Sequence, residues 1–241
     1  MMRCIRLHIT CKLCGAAAGG IFMKSRTSNK TQYLTILAIF IAIVAVVQFF
    51  CNFTIGIVSF SMVLIPIVVG GAILGPTAGA ILGFTFGLIT LINGLCSRDP
   101  LTTVLLYDTS IKGTIVTAIL CIAKATLAGW GAALIYKALK GKNQYVAVIL
   151  AAVAAPIINT GIFVLAMIFV LADELFKSDA AMGTEVLVYL SSNGFTSGNV
   201  VGYVIFTMIG LNFIVEFLVN VVLSPAIYAL IKSVSKGRLK S

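Results

Sequence analysis

The chain has 241 residues, 60% of them hydrophobic and only 10% charged, with a strongly positive mean hydropathy. This composition excludes an ordinary soluble core and leaves room for about six membrane spans of roughly 20 residues, with no separate soluble domain. A net charge of +10 would suit nucleic acid, but its distribution between loops points to membrane topology instead.

Residues 1–22 stand apart. Cys4, His8, Cys11 and Cys14 have a spacing compatible with zinc, but no folded context for a finger surrounds them, and no metal site or cofactor is expected. Gly19-Gly20 can be encoded as a ribosome-binding sequence two codons before Met23, and MKSRTSNKTQ reads as a bacterial start with a basic flank. Residues 1–22 are therefore expected to be an over-extended start, disordered if translated, and 23–241 a single six-helix membrane domain. The six cysteines are scattered, unlike a secreted disulfide framework.

The first span is expected over 33–51, where Ala38 and Ala42 form a small-xxx-small pair that lets another helix approach. Residues 52–61, NFTIGIVSFS, read as an outer loop able to fold over something. From Ser59 to Asn93 there is no charged residue over thirty-five positions, about 50 Å if helical and too long for one crossing. Gly75-Pro76 divides it, since proline starts a helix well but cannot continue one. Helices are expected over 58–74 and 77–95. Gly79, Gly83 and Gly87 then share one smooth stripe, suited either to tight helix packing or to a surface where helices slide or a ligand lodges.

Residues 94–114 form a polar loop of mixed charge. The fourth span covers 115–136 and contains Lys124. A basic connection follows over 137–144, then a fifth span over 145–172 with Pro156, Asn159 and Thr160. The loop 173–200 carries four acids, and the sixth span, 201–231, carries Asn212, Glu216 and Asn220 on one helix face. With six spans, Lys24, Arg26, Lys30, Lys137, Lys140, Lys142, Lys232, Lys236, Arg238 and Lys240 share one side without an acid. The positive-inside bias makes both termini cytoplasmic.

Lys124 and Glu216 are the ionisable residues, apart from tyrosine and cysteine, that fall within spans. Each costs roughly 2.5–3.5 kcal/mol on insertion scales and should face the interior. Two readings stay open. Lys124 and Glu216 form a buried structural pair, or they line a pocket, open to the outside, for a small polar solute. Asn93, Asn159, Thr160 and Asn212 join them as candidate substrate-binding residues. No catalytic constellation or Walker A loop appears, so the chain is not expected to be an enzyme. A membrane enzyme or a structural membrane protein without a solute is the alternative.

The runs IPIVVGGAILGPTAGAILGFTFGLITL (65–91), IAKATLAGWGAALIYKAL (122–139), Asn159-Thr160 and NFIVEFLVNVVLSPAIYALIK (212–232) together resemble the substrate-binding S component of energy-coupling-factor (ECF) vitamin transporters. The resemblance covers essentially 33–232. It implies an all-α, six-helix binding protein of the bacterial plasma membrane that captures a vitamin or precursor from outside. Import then requires a transmembrane T component and two cytoplasmic ATPases. By position, Ala38 and Ala42 look like the pair that docks the T component, 52–61 like the gate, and Lys124, Asn159 and Asn212 like ligand contacts, while Glu216 matches an acid in the last span. The hairpin and the Asn-Thr pair look most like pantothenate-type members, in which Lys124 would meet a carboxylate. Ala123-Lys124 stands where that family region often has proline-arginine, which leaves riboflavin, folate and other precursors open.

Overall fold

The computed structural model describes residues 29–50, 52–55, 58–107, 110–167, 169 and 210–238. The cysteine cluster near the amino terminus and the acidic loop 173–200 lie outside the described residues. The chain divides into two units, Met1–Leu34 and Thr35–Ser241. The described part of the first is the opening of helix α1 (Asn29–Phe50); the second holds everything that follows.

After α1 come strands β1 (Asn52–Ile55) and β2 (Val58–Ser61), then helices α2 (Leu64–Leu74), α3 (Pro76–Leu95), α4 (Pro100–Tyr107), α5 (Ile111–Leu139), α6 (Gln144–Ala166) and α7 (Gly210–Arg238). Five of these helices, α1, α3, α5, α6 and α7, are long and apolar enough to cross a membrane. The chain is a helical, multi-pass membrane protein.

Two expectations are corrected here. Residues 58–74 are not one helix: 58–61 pair antiparallel with 52–55, Asn52 opposite Ser61 and Ile55 opposite Val58. The alternation of Phe53 and Ile55 with Asn52 and Thr54, and of Val58 and Phe60 with Ser59 and Ser61, is a strand pattern of period two. What remains, α2, has 11 residues, about 16 Å, and is too short to span on its own. The six-span count is therefore not reached among the described residues. Within the expected polar loop 94–114 lies α4. Thr103 Oγ1 and Tyr107 Oη donate to the carbonyls of Gly94 and Leu95, each at 3.0 Å. Thr114 Oγ1 donates to Leu106 O at 2.9 Å, tying α4 to α5 as well.

The turn between α2 and α3 falls where Gly75-Pro76 puts it. Gly75 takes φ 102°, a conformation L side chains rarely adopt, and Pro76 opens α3. The caps of the later helices are equally local in origin. Ser110 accepts from Gly113 N at the start of α5, and Asn143 Oδ1 accepts from Tyr145 N and Val146 N at the start of α6.

The glycine stripe of α3 lies on α5. A Cβ on Gly79 would sit 2.5 Å from the Gly129 carbonyl oxygen, and one on Gly87 2.6 Å from that of Cys121. Gly83 lies in the same way against the Ala125 carbonyl, and Gly129 meets Gly79 in return. Of the two readings of the stripe, the structure bears out tight packing, backbone against backbone. α5 packs in turn on α6, and α6 on α7.

Gly83→Val therefore should cost a few kcal/mol, since neither backbone can yield without a shift of the whole helix. Gly161→Ala in α6, where an added Cβ meets nothing within 4 Å, should be neutral or stabilise by roughly 0.5–1 kcal/mol. Thermal unfolding of the two variants in detergent checks the contrast.

Candidate functional site

Lys124 lies at the middle of α5, one residue before Ala125, whose carbonyl is pressed against Gly83. With α5 held in that rotation, Lys124 turns to α6 and sets its Nζ 4.2 Å from the centre of the Phe163 ring. Phe163 is itself buried. The π face gives the ammonium an attractive surface without cancelling its charge. Among the described residues, no carboxylate closes a salt bridge with it.

Glu216 lies on α7 and is 4% exposed. It stands close enough to Lys124 for the two charges to act on each other, and Asn212 lies one turn before it on the same helix face. One turn on, Asn220 is 2% exposed, and its Nδ2 donates to the Glu216 backbone carbonyl at 2.8 Å. Ser224 continues the same buried face and donates to Val221 O. On the face predicted from the i, i+4, i+8 spacing, Glu216 and Asn220 are thus buried and Asn212 half-buried, and the buried stretch extends one turn further.

Asn159 and Thr160 are buried in α6. Asn159 is one turn from Phe163, on the same face. Four buried oxygen atoms in this region find no hydrogen-bond partner: Asn159 Oδ1, Asn212 Oδ1, Glu216 Oε2 and Asn220 Oδ1. Native proteins seldom leave such groups unmatched, because each costs roughly 1–3 kcal/mol when orphaned.

Asn93 belongs to a different group. It is buried at the end of α3, one turn beyond Thr90, and Thr90 Oγ1 accepts from Gln48 Nε2 of α1 at 3.5 Å. No hydrogen bond among the described residues links this group to Lys124 or Glu216. Ala38 and Ala42 are exposed on α1, whose buried stripe runs through Leu37, Val44 and Gln48.

Sequence reasoning passed over Phe163 and Gln48. Gln48 had a readable signal, as a lone amide in an otherwise apolar span. Phe163 had one too, an aromatic at i+4 from Asn159. The described residues contain no group of three or more His, Cys, Asp or Glu arranged to hold a metal ion.

Among the described residues, five helices long and apolar enough to cross a membrane, a half-buried lysine over an aromatic ring and four unmatched buried oxygens describe a membrane protein with polar groups inside its helices. Comparison with known proteins gives the family. The profile described as "ECF transporter, substrate-specific component" matches residues 32–228, and the chain belongs to that family. It is also similar to the pantothenic acid transporter PanT of Lactococcus lactis subsp. cremoris (strain MG1363), 38% identical over 76 residues. That match covers 30% of this chain and 39% of the relative.

Replacing Phe163 by leucine removes the aromatic surface under Lys124 and should lower stability by roughly 0.5–2 kcal/mol, while Phe163→Tyr should retain most of it. Paired unfolding measurements, with Lys124→Met as the second arm of a double-mutant cycle, give the coupling between the two side chains.

Proposed function

We propose that this chain is the solute-capturing component of an ECF-type importer in a bacterial plasma membrane. It binds a water-soluble vitamin or precursor from outside, pantothenate first among the candidates. Delivery then involves a transmembrane T component and two ATPases, with no catalysis by this chain itself. Membership of the substrate-specific component family supports the general reading. The partial likeness to a protein named a pantothenic acid transporter supports the particular one.

The observation that carries the proposal within the site is Lys124. Its ammonium rests on Phe163 rather than in a salt bridge with a described carboxylate, so its charge stays available to an anionic ligand. A purely structural Lys124–Glu216 pair would close that distance, because leaving either group short of its partner inside a membrane is expensive. In this reading Lys124 meets the ligand carboxylate, and Asn159, Thr160, Asn212 and Glu216 meet its other polar groups. Asn93 contributes from the α3 side. Ala38 and Ala42, small and exposed on α1, form the surface for the T component. Both termini lie in the cytoplasm, and residues 23–241 act as one membrane domain.

Mass spectrometry of small molecules released from the detergent-purified protein, followed by titration with pantothenate, tests this reading. Wild-type protein should bind it, and Lys124→Ala should bind roughly 10- to 100-fold more weakly, the share of a charge-assisted hydrogen bond in a dry site. A different vitamin retained in place of pantothenate would replace the substrate and keep the class. No retained ligand and no binding across a vitamin panel would return Lys124 and Glu216 to a structural role.

Orientation has its own test. Cys96 is exposed just past α3, whereas Cys121 is buried in α5. In a variant whose sole cysteine is Cys96, a membrane-impermeant maleimide added to whole cells should label it. Labelling only after the cells are broken open would invert the topology.

A further inference from the structure

One end of the helices gathers cations from two distant parts of the chain. All seven acids lie between positions 99 and 216, so Lys140 and Lys142 at the α5–α6 turn and Lys232 on α7 have no carboxylate near them in sequence. The turn is tight. Lys140 N donates to the Tyr136 carbonyl, and Lys142 N and Asn143 N both donate to that of Leu139, which holds the two lysines exposed at its tip.

α7 reaches the same end. Glu216 acts on Lys124, and about three turns on, Tyr228 meets Tyr145 in the first turn of α6, ring edge to ring face at 5.3 Å between centres. α7 therefore runs antiparallel to α6, and Lys232, one turn beyond Tyr228, comes level with the α5–α6 turn. Its Nζ stands 5.3 Å from the centre of the Tyr228 ring. A charge excess that only sets topology needs no such arrangement, since lysines anywhere in the loops would serve. Here an aromatic pair ties α6 to α7 and carries one of the cations. Tyr145 is 43% exposed, as suits a ring with an apolar body and a polar tip at headgroup level. Further into the bilayer the exposed residues turn apolar: Val146, Leu150 and Ile157 on α6, Val222 and Leu223 on α7.

We propose that this surface is a headgroup site for an anionic phospholipid. Its phosphate meets Lys140, Lys142 and Lys232 beside the Tyr145–Tyr228 pair, and its acyl chains lie along the apolar faces of α6 and α7. The lysines supply charge-assisted donors at the depth where a phosphate sits. A soluble acidic partner would leave the apolar faces unused. With both termini cytoplasmic, the lipid belongs to the cytoplasmic leaflet.

The test is native mass spectrometry of the full-length protein in detergent, titrated with phosphatidylglycerol or with the zwitterionic phosphatidylcholine. Wild type should retain phosphatidylglycerol about tenfold more tightly. Lys142→Gln/Lys232→Gln should bring that preference within about twofold, and Lys142→Arg/Lys232→Arg, which keeps both charges, should preserve it. Arg98→Gln/Lys112→Gln removes as much charge at the opposite end of α5 and should leave the preference as it was.

Equal retention of the two lipids by wild type would overturn the inference. So would an unchanged preference in Lys142→Gln/Lys232→Gln, because the headgroup would then be held elsewhere. An equal loss in Arg98→Gln/Lys112→Gln would do the same, since overall charge would then be responsible. Displacement of phosphatidylglycerol by millimolar glycerol 3-phosphate would show a site for free phosphate and not for lipid.

Discussion

The seam between α3 and α5 is the constraint on which the rest depends. In a membrane no hydrophobic force drives one helix against another, so close packing and contacts between backbones must supply the association. Gly79, Gly83 and Gly87 give α3 a face without side chains. On α5, Cys121, Ala125 and Gly129 answer with small residues at the same spacing of four. At such a distance Cα hydrogens can meet carbonyl oxygens, a weak attraction repeated along the seam. The seam also sets an angle. Ala125 faces α3, so the neighbouring Lys124 is rotated about 100° away and reaches the aromatic ring on α6. A shift of α5 by one residue would carry the lysine off Phe163.

From that fixed lysine the electrostatics follow. A cation and an acid that fully neutralise one another inside a protein offer little to a ligand. Here the cation rests on a π face without a salt bridge to a described carboxylate, and Glu216, almost wholly buried, keeps Oε2 without a hydrogen-bond partner. On the proposed reading, that leaves both groups to the solute.

Much of this was legible in the chain. Gly75-Pro76 announced the turn because only glycine tolerates that backbone and only proline suits the next position. The glycine spacing announced close approach, although not that α5 was the partner, since four-residue spacing describes one face and never the helix opposite. Lys124, Asn159, Asn212 and Glu216 stood out as polar residues in apolar spans. The hairpin at 52–61 was missed although its period-two alternation was present, because a hydropathy reading of 58–74 absorbed β2 into the helix that follows. Asn93 illustrates the other limit. It shares the polarity of the candidate set, but it lies with Gln48 and Thr90 at the α1–α3 seam, a grouping that depends on how the two helices cross.

The short α2 has a consequence for the solvent around the hairpin. α2 has 11 residues and α3 has 20, and the two run back to back from one turn. By length alone α2 climbs about 16 Å where α3 climbs about 30 Å. The base of the β1–β2 ribbon thus begins well below the far end of α3, at a level that lipid tails would normally surround. A two-stranded ribbon has two open edges, each with unpaired backbone N–H and C=O groups, and hydrocarbon cannot satisfy them. Non-helical backbone survives at such depth only when protein covers it or water reaches it. β2 touches α4 and α7, which cover part of it. The edge groups that these two helices leave uncovered must be met by other protein or by water, a demand that an unbroken helix in place of the ribbon would not have made.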